Sequence, residues 1–394
     1  MLRVTKFHGL FDVAMQNAVI IGGGAMGLSI GWYLVRAGFP VTILERDRAG
    51  GGATWAAAGM LTPHIEAKPT ERDYVKLLRF SHDLWADFAR ELEQASDVHI
   101  GYRTEGTLMV ALNRDDAEQL KFRHDYMQQW GLPVEWISGY EARQREPLLS
   151  RNVTAGLFSP LDHQVDNRAM ACALREVFVR AGGTLREHTA ARQVLIERDR
   201  VRGVELDDEV IETEVVVLCA GAWSRNIPGL PEAVRPPVRP VKGQILTLQM
   251  PPDAPLVTHV VWGLEVYLVP RHNGHLVVGA TVEEMGFDTQ LTAGGILSLL
   301  EKAWEVLPGI YDLPIVEMTA GLRPGSRDDA PLLGPTSVRG LFMATGHYRK
   351  GILLTPVTAL TMSHLILTGE TMDVMKPFNP ARFGGGLVHG GHGL

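Results

Sequence analysis

The run Gly22-Gly23-Gly24-Ala25-Met26-Gly27 carries the spacing G-x-G-x-x-G. A loop of this kind works through its backbone. The first glycine allows a tight turn, the second lets the chain approach a pyrophosphate, and the third lets helix and strand pack closely. The N-terminus of the following helix then attracts the phosphate charge. The spacing alone is a weak signal, but its surroundings complete it. Ala18–Ile21 is an apolar, strand-like run before the loop, and the helix-like run from Ala25 to Ala37 is ended by Gly38. A second strand, Val41–Leu44, ends in Glu45, 18 residues past Gly27, where a carboxylate can accept from a ribose hydroxyl. An acid there disfavours a 2′-phosphate, so NADP is not expected, while FAD and NAD both stay open.

Other candidate chemistry is thin. His259, His272 and His275 surround a predicted hairpin at Asn273-Gly274, but the turn separates them and no carboxylate pair completes a metal set, so no metal site is expected. Cys172 falls on a predicted helix and Cys219 in an apolar strand, and both read as inert core residues. Asp207-Asp208-Glu209 reads as a solvated turn.

The elements that must hold the loop come in two styles. Thr70–Ala95 reads as an amphipathic helix, with Thr70 and Asp73 as its capping box and Leu77, Trp85, Phe88 and Leu92 on one face. A strand (Leu108–Leu112), a helix (Asp115–Trp130) and a helix (Asn167–Ala181) follow. Val215–Ala220 is an apolar strand, and from Pro236 the pattern alternates as in antiparallel strands. Leu291–Leu307 reads as a helix; Leu341–Ala344 is again an apolar strand, followed by a long helix from Gly351. Two interleaved styles imply an α/β chain, α+β overall. A Rossmann-like dinucleotide unit of discontinuous segments (17–66, 150–225 and 320–375) alternates with an antiparallel-sheet substrate unit (67–149 and 226–319). Residues 1–16 read as an extension, with Met15 as an alternative start, and 376–394 as a flexible tail.

Composition sets the outer limits. The chain has 394 residues, 45% hydrophobic and 21% charged, with a net charge of −7. That is enough apolar surface for a folded core, and no cationic run suits nucleic acid. Two cysteines exclude a disulfide scaffold and suit a reducing compartment, the cytoplasm. Gln16–Val35 and Gly351–Gly369 lack charge, but their glycines, threonines and Pro356 read as buried elements rather than membrane spans.

The loop after Glu45 narrows the cofactor. Ala53-Thr54-Trp55-Ala56-Ala57-Ala58-Gly59-Met60-Leu61 resembles the segment that wraps the flavin in the D-amino-acid oxidase superfamily, and the likeness is closest to ThiO-type glycine oxidases. Ala220-Gly221-Ala222-Trp223-Ser224, Tyr267-Leu268-Val269-Pro270-Arg271, Gly321-Leu322-Arg323-Pro324-Gly325 and the run Gly346 to Leu354 resemble further motifs of that family, in the same order. The resemblance implies noncovalent FAD, since no cysteine follows Cys219 to attach it. It implies a small amino-acid substrate, dioxygen as acceptor, a homotetramer and supply of glycine imine for thiamine thiazole synthesis. A dehydrogenase acting on D-amino acids or sarcosine and reducing a quinone is the alternative. By the same resemblance Arg323, Tyr267 and Arg349 hold the substrate; a structural ion pair of Arg323 with Asp328 or Asp329 is the competing role. Gly22, Gly24, Ala25, Met26, Gly27, Glu45 and Arg46 serve the dinucleotide, with Ala191 near the adenine. Ala53, Thr54, Ala58, Gly59, Met60, Gly221, His347, Tyr348, Arg349, Lys350, Gly351, Ile352 and Leu353 serve the flavin. Trp55 stands where the family pattern has a small polar residue.

Overall fold

A computed structural model describes residues 17–383, so the expected extension 1–16 and the last eleven residues of the expected tail lie outside the described residues. Ala18–Ile21 is apolar at every position and fully buried, as suits a central strand covered on both faces. It pairs in parallel with Val41–Leu44 on one side and Val215–Leu218 on the other, and the sheet continues to Thr184–Arg186 at one edge. At the opposite edge lie Leu341–Thr345 and, antiparallel to it, Leu332–Pro335, six strands in all. The described residues form seven α-helices: α1 (Ala25–Arg36), α2 (Arg72–Ser96), α3 (Arg114–Gln129), α4 (Gly139–Arg145), α5 (Asn167–Arg180), α6 (Ala293–Val306) and α7 (Gly351–Thr368). Apolar faces of α1, α2, α5 and α7 pack together on one face of this sheet. Val194, Val201 and Val204, from a small three-stranded sheet, cover the other face. By length and composition α7 could cross a membrane, but most of it is buried between α1 and α2.

The second sheet has eight strands. Its order is Ile315–Gly325, Arg239–Gln249, His275–Gly279, Tyr267–Pro270, Val260–Trp262, Thr107–Ala111, Ala155–Ser159 and Glu135–Ser138. All pairs are antiparallel except Val260–Trp262 with Thr107–Ala111. The hairpin at Asn273-Gly274 forms, and Gly274 has φ +80°.

Several expectations shift. Ala155–Ser159, expected in the dinucleotide unit, pairs with Thr107–Ala111 in the eight-stranded sheet. Ile315–Gly325 belongs wholly to that sheet and crosses the expected boundary at 320. Conversely α2, expected in the substrate unit, sets Leu77, Trp85, Phe88 and Leu92 into the core around α7, because its apolar stripe finds the helical layer. The Thr70/Asp73 capping box does not form. A turn closed by the Glu71 amide on the Lys68 carbonyl delays the helix to Arg72, and Asp73 pairs with Lys76. Part of the expected tail is ordered: Phe378 is buried beside Tyr74, and Arg382 pairs with Asp328. Cys172 is exposed rather than core, because Ala171, Ala173 and Leu174 turn the other side of α5 inward.

Candidate active site

Steric limits build the glycine loop. Gly22 has φ +111°, and a Cβ there would meet the Cys219 carbonyl oxygen at 2.4 Å; one at Gly27 would meet the Gly22 carbonyl oxygen at 1.9 Å. Gly27 is thus a packing residue between helix and strand. A Cβ on Gly24 would meet only the Thr54 hydroxyl, at 3.4 Å, so this part of the loop is open to the cavity. Met26 lines the same wall. Glu45 takes the Gly23 amide at 2.8 Å and the Asp47 amide at 3.0 Å, which fixes its carboxylate at the strand end. Ala191 lies along this wall next to Thr189, whose amide bonds the Glu45 carbonyl at 2.8 Å. Arg46 sits 3.8 Å over the Trp223 ring.

The Ala25 amide donates to the Thr54 hydroxyl at 3.0 Å, docking the Ala53–Met60 loop on the N-terminus of α1. Gly59 has φ +67°, and a Cβ there would meet the Val165 carbonyl oxygen at 1.9 Å. Met60 pairs with Gln164. The buried Arg271 clamps this loop, donating to the Ala58 carbonyl (2.7 Å), the Val165 carbonyl (2.7 Å) and Asn167 Oδ1 (2.9 Å). Burial pulls its guanidinium down to about 10, so it remains charged near neutral pH. Trp55 lies on the exposed rim, with Arg168 4.2 Å over its ring. Across the cavity, the Gly221 carbonyl accepts from the Thr345 hydroxyl at 3.2 Å.

The third wall is the start of α7. His347 is buried against the Thr358 hydroxyl (3.1 Å), and burial pulls its pKa to about 3, so the ring is neutral. The Tyr348 amide donates to the Pro324 carbonyl at 2.9 Å, tying this turn to the eight-stranded sheet. No side chain caps α7 at Lys350, and Gly351 and Ile352 line the cavity at this open, electropositive end. Two side chains of this run point away from the cavity, which leaves the expected role of their backbone amides untouched. The Lys350 ammonium bonds Glu66 and the Thr62 carbonyl (3.1 Å), because Glu66 is the nearest buried counter-charge. The Leu353 side chain is fully buried in the helical layer, where its carbonyl accepts from Trp85 Nε1 at 2.8 Å.

The substrate end forms where the eight-stranded sheet meets these loops. Val241 faces Arg323 across one strand pair, and Tyr267 faces Gly279 across another. A Cβ on Gly243 would come 2.3 Å from Arg323 Nη2, and one on Gly279 would come 2.4 Å from the Tyr267 hydroxyl. Two glycines therefore clear the floor for the guanidinium and the phenol. The acids near Arg323 in sequence are taken: Asp328 pairs with Arg382, and Asp329 stands 3.9 Å from Arg239. Arg323 instead donates to the carbonyls of Lys242 (3.1 Å) and Thr281 (3.0 Å). Burial pulls its pKa down, with the Tyr267 hydroxyl beside it acting in the opposite direction. Arg349 differs, since Glu66 takes its guanidinium at 3.0 Å and raises its pKa. Burial raises the Tyr267 pKa despite the two guanidiniums, so the phenol stays a donor.

One cavity of about 1350 Å³ joins the Gly22 loop and Glu45 to Arg323, Tyr267 and Arg349. An open Gly24, an uncapped helix end and a glycine-cleared floor fit an extended dinucleotide at one end and a small carboxylate at the other. Glu66, Arg271, Gly243 and Gly279 were not among the expected site residues. Arg271 closes the Tyr267–Arg271 motif and so carried a signal, whereas Glu66 is a lone acid in a loop and carried none.

The profile of the family described as FAD dependent oxidoreductase matches residues 17–365. Glycine oxidase of Geobacillus kaustophilus is 34% identical over 377 residues, covering 94% of this chain and 97% of that protein. The crystal structure of glycine oxidase from the same organism superposes with a TM-score of 0.87 at 31% identity, covering 94% of this chain and 99% of that one. That of Bacillus cereus ATCC 14579 gives 0.85 at 29% identity, covering 92% and 97%. The bifunctional protein ThiO/ThiG of Trichormus variabilis is 33% identical over 371 residues; the alignment takes in 93% of this chain but only 55% of that protein, so the chain spans about half its length. The chain belongs to the FAD-dependent oxidoreductase family.

Proposed function

We propose that the protein oxidises glycine and other small amines or D-amino acids to the imine, which hydrolyses to glyoxylate and ammonia when glycine is the substrate. The observation that carries this reading is Arg323, a half-buried guanidinium with no acidic partner among the described residues, opening on the cavity that begins at the glycine loop. Its planar fork suits one carboxylate bidentately. Tyr267 donates its hydroxyl to the same carboxylate, and Arg349, which shares Glu66 with Lys350, closes the pocket. These contacts orient the α-carbon, and positioning of this kind lowers the barrier by removing the need to find the reactive geometry. Bound FAD would supply the acceptor for the α-hydrogen and its electron pair, with dioxygen as the final acceptor and hydrogen peroxide as its product. The chain holds FAD noncovalently through the Gly22–Gly27 loop, Glu45 and the Ala53–Met60 loop. The uncapped start of α7 would offer its amides to the flavin end of the cofactor, where they favour negative charge.

The six-stranded unit holds the cofactor, and the eight-stranded sheet presents the substrate groups. A role in thiamine thiazole synthesis is supported by the ThiO/ThiG relatives. The unpaired Cys172 and Cys219 suit the cytoplasm. A homo-oligomer fits the outermost strand of the large sheet, where Ile315, Val316 and Met318 are exposed. The test is substrate reduction of the flavin without oxygen. Glycine, sarcosine, D-alanine, D-proline and L-alanine are added separately, then air is admitted. Bleaching by glycine, recolouring in air and released peroxide are expected; recolouring only with a quinone would replace the oxidase by a dehydrogenase.

A further inference from the structure

Residues alternate across a strand, so Lys242 and Gln244 lie on the face of Arg239–Gln249 opposite Gly243. There they meet the segment 281–292. Lys242 is fully buried, and its ammonium has no hydrogen-bond partner among the described residues; the carboxylates of Glu283 and Asp288 stand 3.7 and 3.8 Å away. Gln244 Nε2 donates to Glu283 Oε1 at 2.8 Å, and the Thr281 hydroxyl donates to the same oxygen. The backbones are paired as well: the Lys242 amide donates to the Glu283 carbonyl at 2.9 Å, and the Glu283 amide to the Lys242 carbonyl at 3.0 Å. This buckle fastens the segment to the sheet. Other residues of the segment, Val282 and Phe287, line the cavity, and Phe287 stacks on Trp223 with ring centres 5.4 Å apart. Both carbonyls that hold Arg323, those of Lys242 and Thr281, lie in the buckle.

We infer that Glu283 is a positioning residue for Arg323: seated among Lys242, Gln244 and Thr281, it fixes the two carbonyls that aim the guanidinium into the cavity. The inference rests on Arg323 as the carboxylate group of the proposed function. Gln244 and Thr281 turn donors to one oxygen of Glu283 and the Lys242 ammonium faces the other, so an ionised carboxylate suits this seat. Burial pushes its carboxyl up, but the bonds from Thr281 and Gln244 and the Lys242 charge outweigh this and hold it below the usual range.

The test uses the FAD-loaded protein and acetate as a carboxylate probe, read from the change in the flavin spectrum. Glu283→Gln keeps an oxygen for Gln244 and Thr281 but removes the charge facing Lys242 and sets an amide NH2 against the ammonium in place of Oε2. It is expected to weaken acetate about tenfold, because the buried Lys242 charge loses its counter-charge and the carbonyls seated by the buckle shift. Flavin bleaching should need correspondingly more glycine in this variant. Glu283→Asp, which keeps the charge, should recover most of the affinity. Lys242→Met should weaken acetate in the same direction. Acetate binding at the wild-type level in Glu283→Gln, while Arg323→Ala weakens it, overturns the inference and leaves the proposed function standing. Unchanged binding in Arg323→Ala overturns both. If Glu283→Gln does not fold, wild-type acetate affinity in Lys242→Met overturns the inference in its place.

Discussion

Replacing Glu66 by glutamine should cost stability in a way that acid reveals. Its side chain is 12% exposed and accepts from the Thr62 hydroxyl, Arg349 and Lys350. Burial pushes the carboxyl up, yet Lys350 and Arg349 outweigh it and hold it at about 2, against an ordinary 4.5. A displacement of that size is worth about 3 kcal/mol near neutral pH. Burial pulls the Lys350 ammonium down, which gives part of this back, so a net of about 2 kcal/mol is expected. The folded pKa is depressed, so this stability is present above pH 4.5 and is lost as pH falls from there toward 2. Urea unfolding at fixed saturating FAD, followed by far-ultraviolet circular dichroism at pH 7, 5 and 4, measures it. Glu66→Gln should lie about 2 kcal/mol below wild type at pH 7, with the gap narrowing in acid. A variant within about 0.5 kcal/mol at pH 7, or a gap that widens on acidification, refutes the reasoning.

Other outcomes follow from the same geometry. Arg323→Ala should keep its flavin but weaken acetate by about 2 kcal/mol, roughly thirtyfold, in a spectral titration. Gly243→Ala sets a methyl group 2.3 Å from Arg323 Nη2, so it should raise the KM for glycine while flavin content stays unchanged. Gly27→Ala sets a methyl group 1.9 Å from the Gly22 carbonyl oxygen and should yield colourless protein on purification. His347 and His163 are held neutral by burial, at about 3 and about 4, so folding stability should fall as pH drops below about 6.5. His347→Gln should make that fall shallower in the same urea series.

The dinucleotide end is legible in the sequence because steric rules act locally there. Gly27 and Glu45 are each fixed by a neighbour within one strand–helix–strand unit, and Gly22 by the left-handed turn it makes there. The substrate end is legible only through resemblance, since Arg323 and Tyr267 meet across a sheet whose register no local pattern gives. Glu66 could not be read at all: its partners Arg349 and Lys350 are more than 280 residues away in the chain. The misplaced boundaries share one cause. Ala155–Ser159 is a short buried strand that periodicity cannot allot to either sheet, and α2 shows an apolar stripe without showing which layer it covers. Cys172 was misread because a residue's place on a helix does not give its side, and α5 turns it to solvent.

The central claim is that an amino acid held by Arg323 reduces bound FAD and that dioxygen reoxidises it. The most direct measurement is the visible spectrum of the purified wild-type protein and Arg323→Ala, without oxygen, before and after glycine. Glycine is expected to bleach the wild type, the variant to need far more of it, and air to restore the yellow with release of peroxide. Equal bleaching of both proteins at the same glycine concentration, or a yellow wild type that glycine leaves unchanged, would contradict it.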